Sequence, residues 1–145
     1  MCAQALDGKV IVVVGGTSGL GRSGVEACLE AGARVIAIGR SPEKVEAVDG
    51  LGPEVFGQVG DAADPDCAEA AIDEAESRFG GFDGLYHVAG GSGRSVGDGP
   101  LHELADEGID YTLRLNLSSV IYSNRAAVRR LLKLRRRGSV LNMSS

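Results

Sequence analysis

The sequence predicts an α/β fold, a doubly wound parallel sheet of five strands with helices on both faces. Two observations carry this expectation. Short aliphatic runs recur along the chain, each followed by a helix-periodic stretch, and that alternation produces parallel strands joined by right-handed crossovers. The runs are also apolar at successive positions, as in Val10-Ile11-Val12-Val13-Val14, which suits strands covered on both sides.

The elements follow in order. After a lead-in at Leu6-Asp7-Gly8-Lys9, the first strand is Val10 to Val14 and a glycine-rich turn follows at once. A helix is predicted from about Gly19 to Ala31, closed by Gly32. Arg34 to Ile38 reads as the second strand. Ser41 as N-cap and Pro42 at the first position open a short helix that stops by Gly50. Gly52-Pro53 turns the chain into a third strand, Glu54 to Val59. Gly60 to Pro65 ends that strand and caps a helix whose Ala68, Ala71, Ile72, Ala75 and Phe79 share one face. Gly84 to Val88 is the fourth strand, followed by a glycine loop, Ala89 to Gly99, and a helical turn at Pro100. A long helix is expected from about Asp110 to Arg136, offering Leu113, Leu117, Val120, Ile121, Ala127, Val128, Leu131 and Leu132 for burial. Gly138 breaks it, and Ser139 to Met143 is the fifth strand.

Bulk properties narrow the function. The 145 residues suit one domain, 1–145, without internal repeats. Apolar residues make up 43% and charged residues 24%, ordinary for a water-soluble domain, while 4% aromatic content requires an aliphatic core. The net charge of −5 argues against nucleic acid or an anionic membrane as partner. No run approaches the length of a membrane span, and Met1 to Gly8 lacks the basic and apolar regions of a signal peptide. Cys2, Cys28 and Cys67 are scattered without metal-ligand spacing, which fits reduced thiols and a cytoplasmic home. The basic cluster Lys133, Arg135, Arg136 and Arg137 sits where cations complement a helix C-terminus.

Strand, glycine turn and helix form the phosphate-binding opening of a dinucleotide-binding βαβ unit. A helix N-terminus offers unpaired N–H groups, and glycines let a pyrophosphate approach the backbone. The spacing of Gly15, Gly19 and Gly21 is G-x-x-x-G-x-G rather than G-x-G-x-x-G. Further signals follow in chain order: Asp61 after the third strand, His87-Val88-Ala89-Gly90 closing the fourth, Leu115-Asn116-Leu117 on the long helix, and Gly138-Ser139-Val140-Leu141-Asn142-Met143-Ser144-Ser145. Together they resemble the short-chain dehydrogenase/reductase family over nearly the whole chain.

The resemblance implies a Rossmann-like sheet without the family's last strands. It also implies reversible hydride transfer between a nicotinamide cofactor and a small-molecule carbonyl/alcohol pair. It assigns cofactor binding to Gly15, Thr17, Ser18, Gly19, Leu20 and Gly21 in the turn, Asp61 and Ala62 beside the adenine, and Ala89 and Gly90 against the cofactor. Val14 stands where the family usually has threonine. At the end of the second strand an acid would bind the adenosine ribose and repel a 2′-phosphate. Gly39-Arg40 stands there instead, and a guanidinium grips phosphate, so NADP(H) is expected over NAD(H). The resemblance makes Ser145 the catalytic serine on the substrate oxygen and Asn116 part of a proton relay. His87 replaces an asparagine, and at the end of a buried strand it reads as a satisfied structural histidine. No metal is expected.

The family's general acid–base is the tyrosine of Tyr-x-x-x-Lys. Tyr86, Tyr111 and Tyr122 are followed four positions on by Gly90, Leu115 and Ala126. The sequence is therefore expected to be the N-terminal portion of a longer enzyme, with a homo-oligomer left open. The alternative is a non-catalytic dinucleotide-binding or interaction module.

Overall fold

The structure, a computed structural model, describes residues 5–144. Cys2 and Ser145 lie outside the described residues. Five strands form one parallel sheet: β1 (Val10–Val14), β2 (Arg34–Gly39), β3 (Val55–Val59), β4 (Gly84–His87) and β5 (Ser139–Asn142), in the order β3-β2-β1-β4-β5. Helices α1 (Gly19–Glu30), α2 (Pro42–Asp49) and α3 (Cys67–Phe79) fall within a few residues of their sequence-read bounds.

Strand alternation divides the core in two. Val10, Val12 and Val14, with Ile36, Ile38 and Leu85, pack against Ala71, Ile72 and Ala75 of α3 and against Ala127 and Leu131 beyond it. On the opposite face Val13, Val35, Ala37 and Val55 meet Val25 of α1 and Val48 of α2. β1 is covered on both sides, which explains its unbroken aliphatic run. Phe82 is the single fully buried phenyl ring among the described residues, so the core is aliphatic, as the composition requires.

The long helix departs from expectation. It begins earlier, as α4 (Asp106–Leu113), passes through a π-helical turn (Arg114–Ser118) and continues as α5 (Ser119–Leu134). It closes at Arg135 in the left-handed region, φ 52°, before Gly138 is reached. The loop read as irregular from Ala89 to Gly99 contains a 3₁₀ turn (Arg94–Val96), and the turn after Pro100 spans Leu101–Glu103.

The burial face also differs. Leu113, Leu117, Ile121, Val128 and Leu132 are 48–72% exposed. Leu115, Ser119, Ser123, Ala126, Ala127, Arg130 and Leu131 face inward instead. Small side chains let α5 lie close to the sheet, and its buried polar groups have partners, so the side with fewer large apolar residues is the buried one. Arg130, about 9% exposed, is held by Asp73 at 2.5 Å and by Glu76, which ties α5 to α3.

Candidate dinucleotide-binding site

Strands β1, β2 and β3 are laid down in one direction, and the chain then crosses back to place β4 and β5 on the other side of β1. At such a reversal the connections leave in opposite directions and open a crevice beyond the strands' C-terminal ends, where doubly wound sheets bind ligands. Here that crevice is a cleft of about 320 Å³ between the turn after β1, the ends of β2 and β3, and the segment after β4.

The turn is fixed by its backbone. Gly15 N and Gly16 N both donate to Ile38 O, at 3.0 and 2.9 Å. Gly15 has φ +86°, and a Cβ there would lie 2.7 Å from Ala89 N. A Cβ on Gly21 would lie 1.9 Å from the Gly15 carbonyl oxygen, so α1 can start this close to the turn only with glycine at 21. Ser18, at the N-cap of α1, makes no side-chain capping bond. The first-turn N–H groups of α1, which have no intrahelical acceptor, are therefore not capped by Ser18. Leu20, 65% exposed, forms an apolar lip.

Ten of the eleven residues read as cofactor-binding line this cleft: Gly15, Thr17, Ser18, Leu20 and Gly21 from the turn, Arg40 after β2, Asp61 and Ala62 after β3, and Ala89 and Gly90 after β4. The eleventh, Gly19, stands outside the lining and supplies a φ of +52° at the helix start. Asp61 Oδ1 accepts from Ala63 N at 2.9 Å, so the carboxylate caps its own turn while also bordering the cleft. Gly39, noted from sequence for the acid it lacks, completes the walls together with Ile38, Gly60, Val88 and Leu115, which were not singled out. Leu115 had a signal: it precedes Asn116 in the quoted Leu115-Asn116-Leu117.

Asn116 lies in the π turn and clamps the neighbouring loop. Its Oδ1 accepts from Gly91 N at 2.9 Å, and its Nδ2 donates to Gly91 O at 2.7 Å and Thr112 O at 3.0 Å. The amide thus mimics a strand partner for the chain just beyond Ala89-Gly90. π turns are frequent at functional sites because the extra residue widens the helix and redirects a side chain.

His87 is 1% exposed beneath the cleft. Its Nε2 lies 3.0 Å from Ala89 O and 3.3 Å from Ser119 Oγ, and its Nδ1 lies 2.7 Å from Ser123 Oγ. Ser119 Oγ already donates to Leu115 O. The consistent assignment is a neutral ring with Nε2–H donating and Nδ1 accepting from Ser123. Burial pushes the imidazole pKa down, opposed by the bond to Ala89 O. The structural reading of His87 holds. Burial, with the charges of Asp64 and Asp61, pushes the Cys67 thiol up to about 11, so it stays protonated and unreactive.

Strand order, switch-point cleft and glycine turn define an α/β domain of the doubly wound class. A family model described as short chain dehydrogenase matches residues 9–145, and the chain belongs to that family. It is 31% identical to 3beta-hydroxysteroid dehydrogenase 2 of Eggerthella lenta, over 97% of this chain and 54% of that protein. Identity to D-threitol dehydrogenase of Mycolicibacterium smegmatis is 34%, over 97% and 54%. For 3-oxoacyl-(acyl-carrier-protein) reductase FabG of Escherichia coli it is 30%, over 96% and 55%. The chain spans about half the length of the curated relatives it matches. No helix among the described residues is long and apolar enough to cross a membrane.

Proposed function

We propose that this chain binds NADP(H) in the switch-point cleft and serves hydride exchange between the nicotinamide and a small carbonyl or alcohol substrate. The observation that carries the reading is the cleft itself, where a glycine turn, an uncapped helix start and the Arg40 guanidinium border one elongated space. Gly15 and Gly21 leave bare backbone where a pyrophosphate needs close approach, and the α1 N-terminus favours its charge. Arg40, exposed just after β2, where the strand ends in Gly39 rather than an acid, suits a ribose 2′-phosphate. Asp61 and Ala62 are assigned to the adenine, and Ala89 and Gly90 to the ribose and nicotinamide side.

When bound, the nicotinamide supplies or accepts the hydride. The chain's own residues orient it: Asn116 holds the Gly91 backbone and His87 holds Ala89 O, so the wall after β4 is fixed from two directions. We assign Asn116 to positioning this wall and supporting proton transfer, and Ser145 to the substrate oxygen. No tyrosine in these 145 residues has lysine four positions on, so no proton donor is assigned here.

Titration of NADPH and NADH, followed by nicotinamide fluorescence, tests the reading. Arg40→Ala is expected to raise the Kd for NADPH about 10- to 100-fold, the worth of a lost charge-assisted contact, and to leave that for NADH within about threefold. Equal loss for both would refute the phosphate assignment.

A further inference from the structure

Cofactor choice at the end of β2 is usually read from the residue at that strand end alone. In this chain a second residue enters. Gly39 is the last residue of β2, paired in register with Val59 of β3 and buried. A Cβ built on Gly39 would lie 2.0 Å from Thr17 Oγ1, 2.5 Å from Thr17 Cγ2 and 2.7 Å from Thr17 Cβ. Rotating the threonine can move Oγ1 and Cγ2, but its Cβ is fixed by the backbone and remains closer than any real contact. The turn cannot retreat cheaply. Gly15 N and Gly16 N are both tied to Ile38 O, and the space above Gly16 is closed by Val25, Ala37 and Val13. Thr17 is itself 8% exposed, packed into the floor of the cleft.

We propose that Thr17 is a specificity-determining residue, because its side chain fills the volume that a carboxylate at position 39 would need to reach an adenosine ribose. Selection of the phosphorylated cofactor is then set twice over. Arg40 attracts the 2′-phosphate, and Thr17 excludes the acid that would bind an unmodified ribose and repel that phosphate. This inference rests on the NADP(H) reading above, and it changes what an exchange of specificity requires: position 39 and position 17 must change together.

The test is a mutant cycle on the purified protein: wild type, Gly39→Asp, Thr17→Gly and the double variant, titrated with NADH and NADPH. Glycine is chosen at 17 because alanine would keep the offending Cβ. A parallel pair, Gly39→Ala with and without Thr17→Gly, reads the steric conflict as a thermal midpoint without an added charge. Gly39→Asp alone is expected to lose NADPH binding and to gain no affinity for NADH. The double variant is expected to bind NADH at least tenfold more tightly than Gly39→Asp, and Thr17→Gly is expected to recover most of the midpoint lost in Gly39→Ala. Gly39→Asp binding NADH as tightly as the double variant, or a Gly39→Ala midpoint that Thr17→Gly does not raise, overturns the inference. A wild-type preference for NADH overturns the NADP(H) reading, and that result is read from the unmutated protein alone.

Discussion

Replacing His87 by asparagine separates the proton chemistry of the buried network from its packing. The histidine is 1% exposed and neutral, and burial lowers its pKa from the unperturbed 6.5. In the unfolded chain the imidazole returns to about 6.5. Between the lowered folded value and about 6.5, the unfolded state therefore binds one proton more than the folded state. Stability falls as pH drops through that window, by at most about 1.4 kcal/mol per pH unit, and is level above it. Protonation would place a hydrogen on Nδ1 facing Ser123 Oγ, which can turn its own hydrogen to Val120 O. The cost of acidification is thus desolvation of the charge rather than a lost hydrogen bond. Asparagine, whose amide stands where Nδ1 does, keeps a partner for Ser123 Oγ, gives up the Nε2 bond to Ala89 O and removes the titration, at a cost of about 1–3 kcal/mol at neutral pH. Urea unfolding from pH 7.5 to 5 measures both proteins. Carboxylates and His102 are common to both and cancel in the difference. Wild type should lose stability relative to the His87→Asn variant as the pH falls from 6.5 to 5. Parallel curves would refute the neutral buried histidine.

Three further variants probe the clamps on either side of the long helix. Asn116→Ala removes both bonds to Gly91, so the Gly91 amide should exchange with solvent at least tenfold faster and the Kd for NADPH should rise several-fold, about 1 kcal/mol. Unchanged protection of that amide would count against the clamp. Arg130→Met should cost about 1–2 kcal/mol, because Asp73 and Glu76, with side chains 64% and 31% exposed, can rehydrate. Asp73→Asn with Glu76→Gln leaves the guanidinium buried without counter-charge and should cost more, about 3 kcal/mol by urea unfolding.

What the chain revealed in advance was whatever depends on neighbours in sequence. The sheet followed from strand runs covered on both faces, and ten of the eleven cofactor-binding candidates came together because each lies on a segment leaving the C-terminal end of a strand, where a doubly wound sheet gathers them. The inward face of the long helix was not legible. Serines at 119 and 123 look like solvent residues until His87, more than thirty positions earlier, is seen between them. Arg130 reads as surface charge until α3 supplies two carboxylates. The π turn escaped because no periodicity records it, nor the pairing of its Asn116 with the distant Gly91 backbone. Gly39 was noted for the acid it lacks; that Thr17 occupies the space is a fact of distance alone.

The seam between β1 and β4 has a consequence for how the molecule is assembled. Residues up to Val59 build three strands and two helices from chain neighbours, whereas Val14 must pair with His87 across everything between them. Closing so long a loop is entropically unfavourable and slows that pairing relative to contacts between chain neighbours. The cleft has one lip on each side of the seam and is whole only when folding is finished. On the proposed reading, a dinucleotide gripping both lips would recognise the folded domain and nothing before it, and would raise its unfolding free energy by RT ln(1 + [L]/Kd). Cofactor supply would thereby help to set how much of the chain persists folded.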